Sequence, residues 1–436
     1  MSHVLDASNQ TQINTQISSN VRVTTLPNGL RVATDSMDGV ETVTLGVWIN
    51  VGARNETAAN NGVAHLIEHM MFKGTERRSA FAISEQIENV GGHLNAYTTR
   101  EHTAYYAKIL KEDVALALDI IADMLQFSAF DEEELCRERA VVLQEIGQAF
   151  DTPDDIVFDY FQAAAFPNQS LGRPVLGAPE IVGSLPRATL IDYIGRHYHT
   201  SDMTLAAAGR IDHDALVSMA QKLFTKISSH GKSLVDPARY HGGDFREERD
   251  LEQLHLVLGF EGVSIHDPNY YANSVLSTLV GGGMSSRLFQ ELREKRGLVY
   301  NIYSFTSAYC DGGIFGVYAG TGPEQVDELI PVLCEQIVKV ASDVTEDELA
   351  RARAQLRAGV LMAQESSMSR CEHLGQQLLM FQRPIPVSEI VDHISNVDLS
   401  AVRKAARRLR ASRPTITALG PLDKLESYER IAQRLA

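Results

Sequence analysis

Two histidines and a glutamate stand within five residues, His65-Leu66-Ile67-Glu68-His69. On a helix, positions i and i+4 lie about 40° apart, so both imidazoles leave one face at a separation that suits a single metal ion. Glu68 lies beside that face, where a carboxylate can take a proton from metal-bound water, in the inverse order of an H-E-x-x-H motif. Paired helical histidines also occur as ordinary half-buried polar residues, so the motif alone leaves both readings open. A catalytic zinc site takes three protein ligands and keeps a fourth position for water. The stretch DEEELCRERAVVLQEIGQAF offers Glu138 and Glu145, two turns apart on one helix face. Glu145 is flanked by Val141, Val142, Leu143 and Ile146. A carboxylate in such company tends to be paired or metal-bound, because unpaired burial is costly. A solvated glutamate on an amphipathic helix is the alternative.

Helices are needed under these residues, and the pattern supplies them at about 60–72 and 131–149, the latter opened by Asp131 as N-cap with Glu134 at the third position. Around them, VRVTTLPNGLRVATD alternates about a Pro-Asn-Gly turn and reads as a hairpin. TVTLGVWINVGARNE reads as a central strand, with further helices at about 79–90 and 111–126 and strands near 94–109. Strands and helices in blocks point to an α+β or α/β layered domain, and the fold class expected is α+β, a mainly antiparallel sheet packed with helices. The stretch SSHGKSLVDPARYHGGDFREERD then dissolves into Gly, Ser, Pro and charge, which reads as a linker. Beyond it the first half returns: LHLVLGFEGV takes the place of TLGVWINVGA, and Asn301-Ile302-Tyr303 aligns with Asn95-Ala96-Tyr97 about 200 residues earlier. The expected organisation is a polar arm at 1–20, a metal-binding domain at 21–228, a linker at 229–250 and a homologous domain at 251–436. Where the second copy should carry the histidine pair it reads LSTLVGGGM, so that domain is expected to be metal-free. Its Gly281-Gly282-Gly283 run lacks the Gly-Lys-Ser/Thr of a phosphate loop and reads as a hinge or packing turn.

Composition narrows the remaining classes. With 40 basic against 56 acidic residues, the formal charge of −16 argues against a sequence-independent grip on nucleic acid, which needs Lys and Arg to displace counterions. No apolar run is long enough to span a bilayer. Four cysteines, Cys136, Cys310, Cys334 and Cys371, form no C-x-x-C pair, which excludes a thiolate zinc site and a disulfide scaffold. The first twenty residues show neither a basic n-region nor an apolar h-region, so a reducing, cytoplasmic compartment is expected.

With Glu145 following the histidine motif and Glu138 two turns before it, the chain resembles the pitrilysin/insulinase family of inverzincins. Within that family it is most similar to the β-type subunit of mitochondrial processing peptidase and its bacterial relatives. GVAHLIEHMMFKGT, GGHLNAYTTREHTAYYAK, RERAVVLQEI, LGRPVLG and GGGMSSRLFQELREKRGLVY fit the family pattern in order. The resemblance implies that His65, His69 and Glu145 bind one zinc ion, that Glu68 is the general base, and that Glu138 supports the site without touching metal. It implies that Asn95, Ala96, Tyr97 and Thr98 lie on an edge strand to which a peptide adds as a further strand. Arg293 and Tyr300 match positions that contact the substrate backbone and steady the tetrahedral intermediate. Family members close a clamshell chamber from four such domains, so this chain would supply half. A homodimer, each second domain facing the other subunit's zinc, is expected. A heterodimer with a metal-free paralogue is the rival arrangement. The implied activity is that of a zinc metallo-endopeptidase hydrolysing short or unfolded peptides, with basic ones favoured by the acidic charge. The alternative is a non-catalytic core or scaffold subunit of the same family.

Overall fold

The computed structural model describes the backbone of residues 13–16 and all of 20–229, 231 and 235–436. Two compact units emerge. One is drawn from the chain up to Val142, Val175–Leu234 and Ala363–Pro386; the other from Leu143–Pro174, Val235–Met362 and Val387–Ala436.

The first unit is built on strands β1 (Ile13–Gln16), β2 (Val21–Thr25), β3 (Arg31–Ser36), β4 (Thr42–Ile49), β5 (His93–Thr98), β6 (Thr103–Leu110) and β7 (Met203–Gly209). They lie in the order β1-β2-β3-β7-β4-β6-β5. The β3–β7 pair is parallel and the others are antiparallel. The second unit uses β8 (Gly243–Glu248), β9 (Leu254–Glu261), β10 (Asn301–Ala308), β11 (Gly313–Thr321) and β12 (Thr415–Gly420), in the order β10-β11-β9-β12-β8. Here β12–β8 is the parallel pair. Read from the parallel pair outwards, β3-β7-β4-β6-β5 and β8-β12-β9-β11-β10 follow the same succession with the same polarities. Both sheets are therefore mixed, and β5 and β10 are matching edges.

Local chemistry accounts for these elements. The predicted hairpin forms between β2 and β3: Gly29 takes φ of +90°, and the Asn28 side chain accepts from the Leu30 amide at 3.1 Å. Central β4 buries Val43 through Ile49, the apolar run expected of a strand covered on both faces. Helices α1 (Val63–Met71), α2 (Ala80–Glu88), α3 (Val114–Phe127) and α4 (Glu132–Phe150) fall close to the four expected stretches, and α5 (Pro153–Ala165) is a further helix that the pattern did not announce. Asp131 caps α4, its carboxylate accepting from the amides of Glu133 and Glu134.

Two helices cross between sequence halves. α5 belongs to the second unit and packs on β8, β9 and β12, with the Phe161 ring seated where Gly259 has no side chain. Helix Ser367–Phe381 belongs to the first unit and packs on β3, β4 and β7, with Gly375 against the Trp48 indole. It is pinned by an Arg370–Asp35 ion pair, by Thr44 to Ser367 at 3.0 Å, and by Arg31 Nη1 donating to the Leu378 carbonyl at 2.6 Å. Two segments differ from expectation. Gly243–Glu248, read as part of the linker, is strand β8, because parallel pairing with β12 satisfies its backbone despite a polar sequence. Within the expected arm, Ile13–Gln16 pairs with β2; residues 1–12 and 17–19, and linker positions 230 and 232–234, lie outside the described residues. No helix among the described residues is long and apolar enough to cross a membrane.

Candidate metal centre

α1 is apolar on one side and chemical on the other. Val63, Ala64, Leu66, Ile67, Met70 and Met71 are buried, whereas His65, Glu68 and His69 are half-buried. Its start is fixed twice. The buried carboxylate of Glu56 accepts from the amides of Gly62 and Ala64 and from the Asn61 side chain, each at 2.8 Å. These would otherwise be orphan donors at the positive end of the helix. Gly62 turns in the left-handed region at φ of +96° and faces Gly177, itself at +86°. A Cβ on Gly62 would lie 2.9 Å from the Gly177 Cα and 2.6 Å from a Val182 methyl. The LGRPVLG stretch therefore serves the metal helix as a close backbone buttress.

From α1 and α4 three side chains converge. One ligand atom each from His65, His69 and Glu145 lie within 4.8 Å of one another, all on half-buried residues. Zinc bonds of about 2.0–2.2 Å to imidazole nitrogen and carboxylate oxygen put neighbouring ligand atoms within that mutual reach. Two imidazoles and one carboxylate form a donor set of the type that takes zinc and leaves a fourth position open. The rings of His65 and His69 meet edge to face at 4.7 Å. Burial, aided by the His69 charge, pushes the His65 imidazole down to about 4, so it is neutral near pH 7, as a ligand must be.

Glu138 stands on the same unbroken helix as Glu145. It is buried, with 4% of its surface exposed, and bridges two donors. Its Oε2 lies 3.0 Å from His69 Nδ1 and its Oε1 lies 2.7 Å from Lys73 Nζ. With Nδ1 donating to a carboxylate, His69 keeps the Nε2 lone pair for an ion. Glu68 lies on α1 between the histidines, and its charge is felt by buried phenols. Burial lifts Tyr198 to about 12, and the Glu68 charge adds to that rise and to that of fully buried Tyr105.

The other expected residues fall in two places. Asn95, Ala96, Tyr97 and Thr98 lie on β5, the sheet edge beside α1. The Tyr97 hydroxyl accepts from Trp48 Nε1 at 3.1 Å and donates to Glu372 at 3.0 Å, with Gln376 also within 3.3 Å. Arg293 and Tyr300 belong to the second unit. Arg293 lies in the last turn of a π-helical segment, Phe289–Glu294, and its guanidinium lies 4.8 Å over the Phe289 ring and 5.9 Å from the centre of the Tyr300 ring. Tyr300 is 75% exposed rather than packed. The sequence did not single out Glu56, Lys73 or Tyr198. The acid-to-helix and lysine-to-acid contacts join residues whose types are unremarkable, and no spacing signals them.

Comparison with known proteins places these features in a lineage. Residues 31–179, which hold the histidine motif and Glu145, match the model described as insulinase, peptidase family M16. Residues 184–356, which hold Arg293 and Tyr300, match the M16 inactive domain. An uncharacterised zinc protease of Rickettsia felis is 40% identical over 93% of this chain and 98% of its own. A probable mitochondrial-processing peptidase β subunit of Arabidopsis thaliana is 41% identical over 95% of this chain and 81% of its own. A chain in the structure of complex III2 from Candida albicans superposes with a TM-score of 0.86 over 95% of this chain and 99% of that one, at 21% identity, so the likeness is one of fold. By sequence over nearly its whole length, the chain belongs to the insulinase family of peptidases, M16.

Proposed function

We propose that this zinc metallopeptidase is an endopeptidase acting on short or unfolded peptides, with Glu68 as general base. The observation that carries the proposal is the convergence of His65, His69 and Glu145, with Glu68 on the same helix. His65, His69 and Glu145 would hold the zinc ion, which when bound would supply a Lewis acid for the attacking water and the scissile carbonyl. Glu68 takes the water proton and returns it to the leaving amine, so no covalent acyl-enzyme is required. Glu138 orients His69 through Nδ1. The free edge of β5, at Asn95–Thr98, pairs with the peptide main chain, which gives affinity with little demand on side-chain sequence. Arg293 and Tyr300 donate to the oxyanion that develops in the transition state.

The same proposal keeps the segments 21–228 and 251–436 as the two copies of one domain, with strand β8 (Gly243–Glu248) joined to the second. It also takes a homodimer as the working assembly, a heterodimer with a metal-free paralogue as the alternative, and the cytoplasm as its place. The chain's charge of −16 favours basic peptides. A non-catalytic scaffold role is disfavoured because every position of the His65/Glu68/His69/Glu145 set is present. Chelation tests the reading. Removing metal should abolish cleavage of a fluorogenic peptide, and one equivalent of zinc per chain should restore it. Undiminished cleavage by metal-free protein would refute it.

A further inference from the structure

Glu138 has both oxygens committed, one to a histidine of the metal centre and one to an ammonium. Lys73 stands eight residues after His65 and four after His69, so it continues the histidine face just past the end of α1. Its amide bonds back to the Met70 carbonyl at 3.1 Å, which keeps it in register with the last turn. A cation at that end also meets the negative pole of the helix. The Lys73 side chain is 30% exposed, while that of Glu138 is 6% exposed. The lysine thus reaches inward and brings positive charge to a carboxylate that solvent scarcely touches.

The donor inventory gives this contact a direction. An ammonium donates and never accepts, so Glu138 Oε1 is held as an acceptor. Oε2 then accepts from the Nδ1–H of His69, and the ring can offer only Nε2 to an ion. The Lys73–Glu138–His69 relay therefore fixes both the orientation of the His69 ring and the nitrogen it presents. Removing the ammonium frees the carboxylate to turn and leaves a buried negative charge without its counter-charge, which is unfavourable.

We infer that Lys73 is a positioning residue of the metal centre, acting through Glu138 to present His69 Nε2 to zinc. The inference rests on the proposed ligand set of His65, His69 and Glu145. Its test is zinc affinity, measured by chelator competition on the full chain, for wild type, Lys73→Met and Lys73→Arg, beside the thermal midpoint of each metal-free protein. Lys73→Met should weaken zinc binding about 10- to 100-fold, the span typical of residues that orient a ligand from behind. Lys73→Arg should recover most of it, and a Lys73→Met/Glu138→Gln pair, which removes the uncompensated buried charge, should recover the metal-free midpoint but not the zinc affinity. Cobalt-loaded Lys73→Met should show altered visible absorption, because the ligand field reports ring geometry. Equal zinc affinity in wild type and Lys73→Met would overturn the inference while leaving the ligand set standing. So would recovery of zinc affinity together with the midpoint in the Lys73→Met/Glu138→Gln pair, which would mark Lys73 as merely structural. Wild type that takes up no zinc, or a Glu145→Gln variant that binds it as tightly as wild type, would instead overturn the ligand set and this inference with it.

Discussion

The residues of the metal centre divide by what holds them. His65 is kept neutral by burial, His69 is aimed by Glu138, and Glu145 projects from a helix whose start is capped by Asp131. Tyr97 is held in another way. Its hydroxyl is tied to Trp48 in the sheet and to Glu372 on the helix Ser367–Phe381, so the side chain that could let β5 twist is anchored on the far face. Burial and the nearby Glu372 charge raise its phenol well above the ordinary value, so it remains a neutral hydrogen-bonding group. If β5 receives the peptide, Tyr97→Phe should loosen its register. The KM for a peptide substrate should then rise several-fold, while kcat at saturation and zinc content change little. A change in kcat with KM unaltered would instead assign Tyr97 to the chemical step.

At the scale of elements, what the sequence reveals follows from how local the physics is. The hairpin about Pro27-Asn28-Gly29, the helix under His65 and His69 and the capped helix carrying Glu138 and Glu145 are legible because turn chemistry, spacing and a cap are encoded within a few residues. The meeting of His65, His69 and Glu145 was anticipated through family resemblance rather than pattern, since periodicity says which face a helix hides but not what that face will meet. Strand β8 was hidden because GDFREE has no apolar alternation; its pairing with β12 rests on backbone hydrogen bonds, which any sequence can make. The sheet assignment of α5 and of Ser367–Phe381 was also illegible. Both are amphipathic, and only the glycine seats at Gly259 and Gly375 indicate which sheet each one covers. Glu56 and Lys73 escaped notice for a related reason: charged side chains at helix ends are common, and their burial becomes visible only once the neighbouring elements pack.

For the whole molecule, one strand order is repeated in both sheets, once with the histidine pair and once without it. Stability should also depend on pH through desolvated histidines outside the metal centre. Burial depresses His102 to about 4, and burial together with Arg22 lowers His213, which is held between the hydroxyls of Thr24 and Thr34. In the unfolded chain these rings bind protons near pH 6.5. Their contribution is fully present above that value and is lost as pH falls towards 4, because the unfolded state then binds more protons than the folded one. The thermal midpoint of the metal-free protein should therefore decline between about pH 6.5 and 4. A His102→Gln variant, which keeps a polar partner for Gln376, should decline less steeply; an identical slope would remove His102 from the account.

The claim on which the rest depends is that Glu68 does proton chemistry beside an ion held by other residues. It is tested most directly by measuring bound zinc and peptide turnover together in wild type and Glu68→Gln. The amide is nearly isosteric with the acid and is not one of the three converging ligands, so zinc content should stay at one per chain while turnover falls by about 10²–10⁴-fold, the span typical of a lost general base. Unchanged turnover at full zinc occupancy would contradict the account.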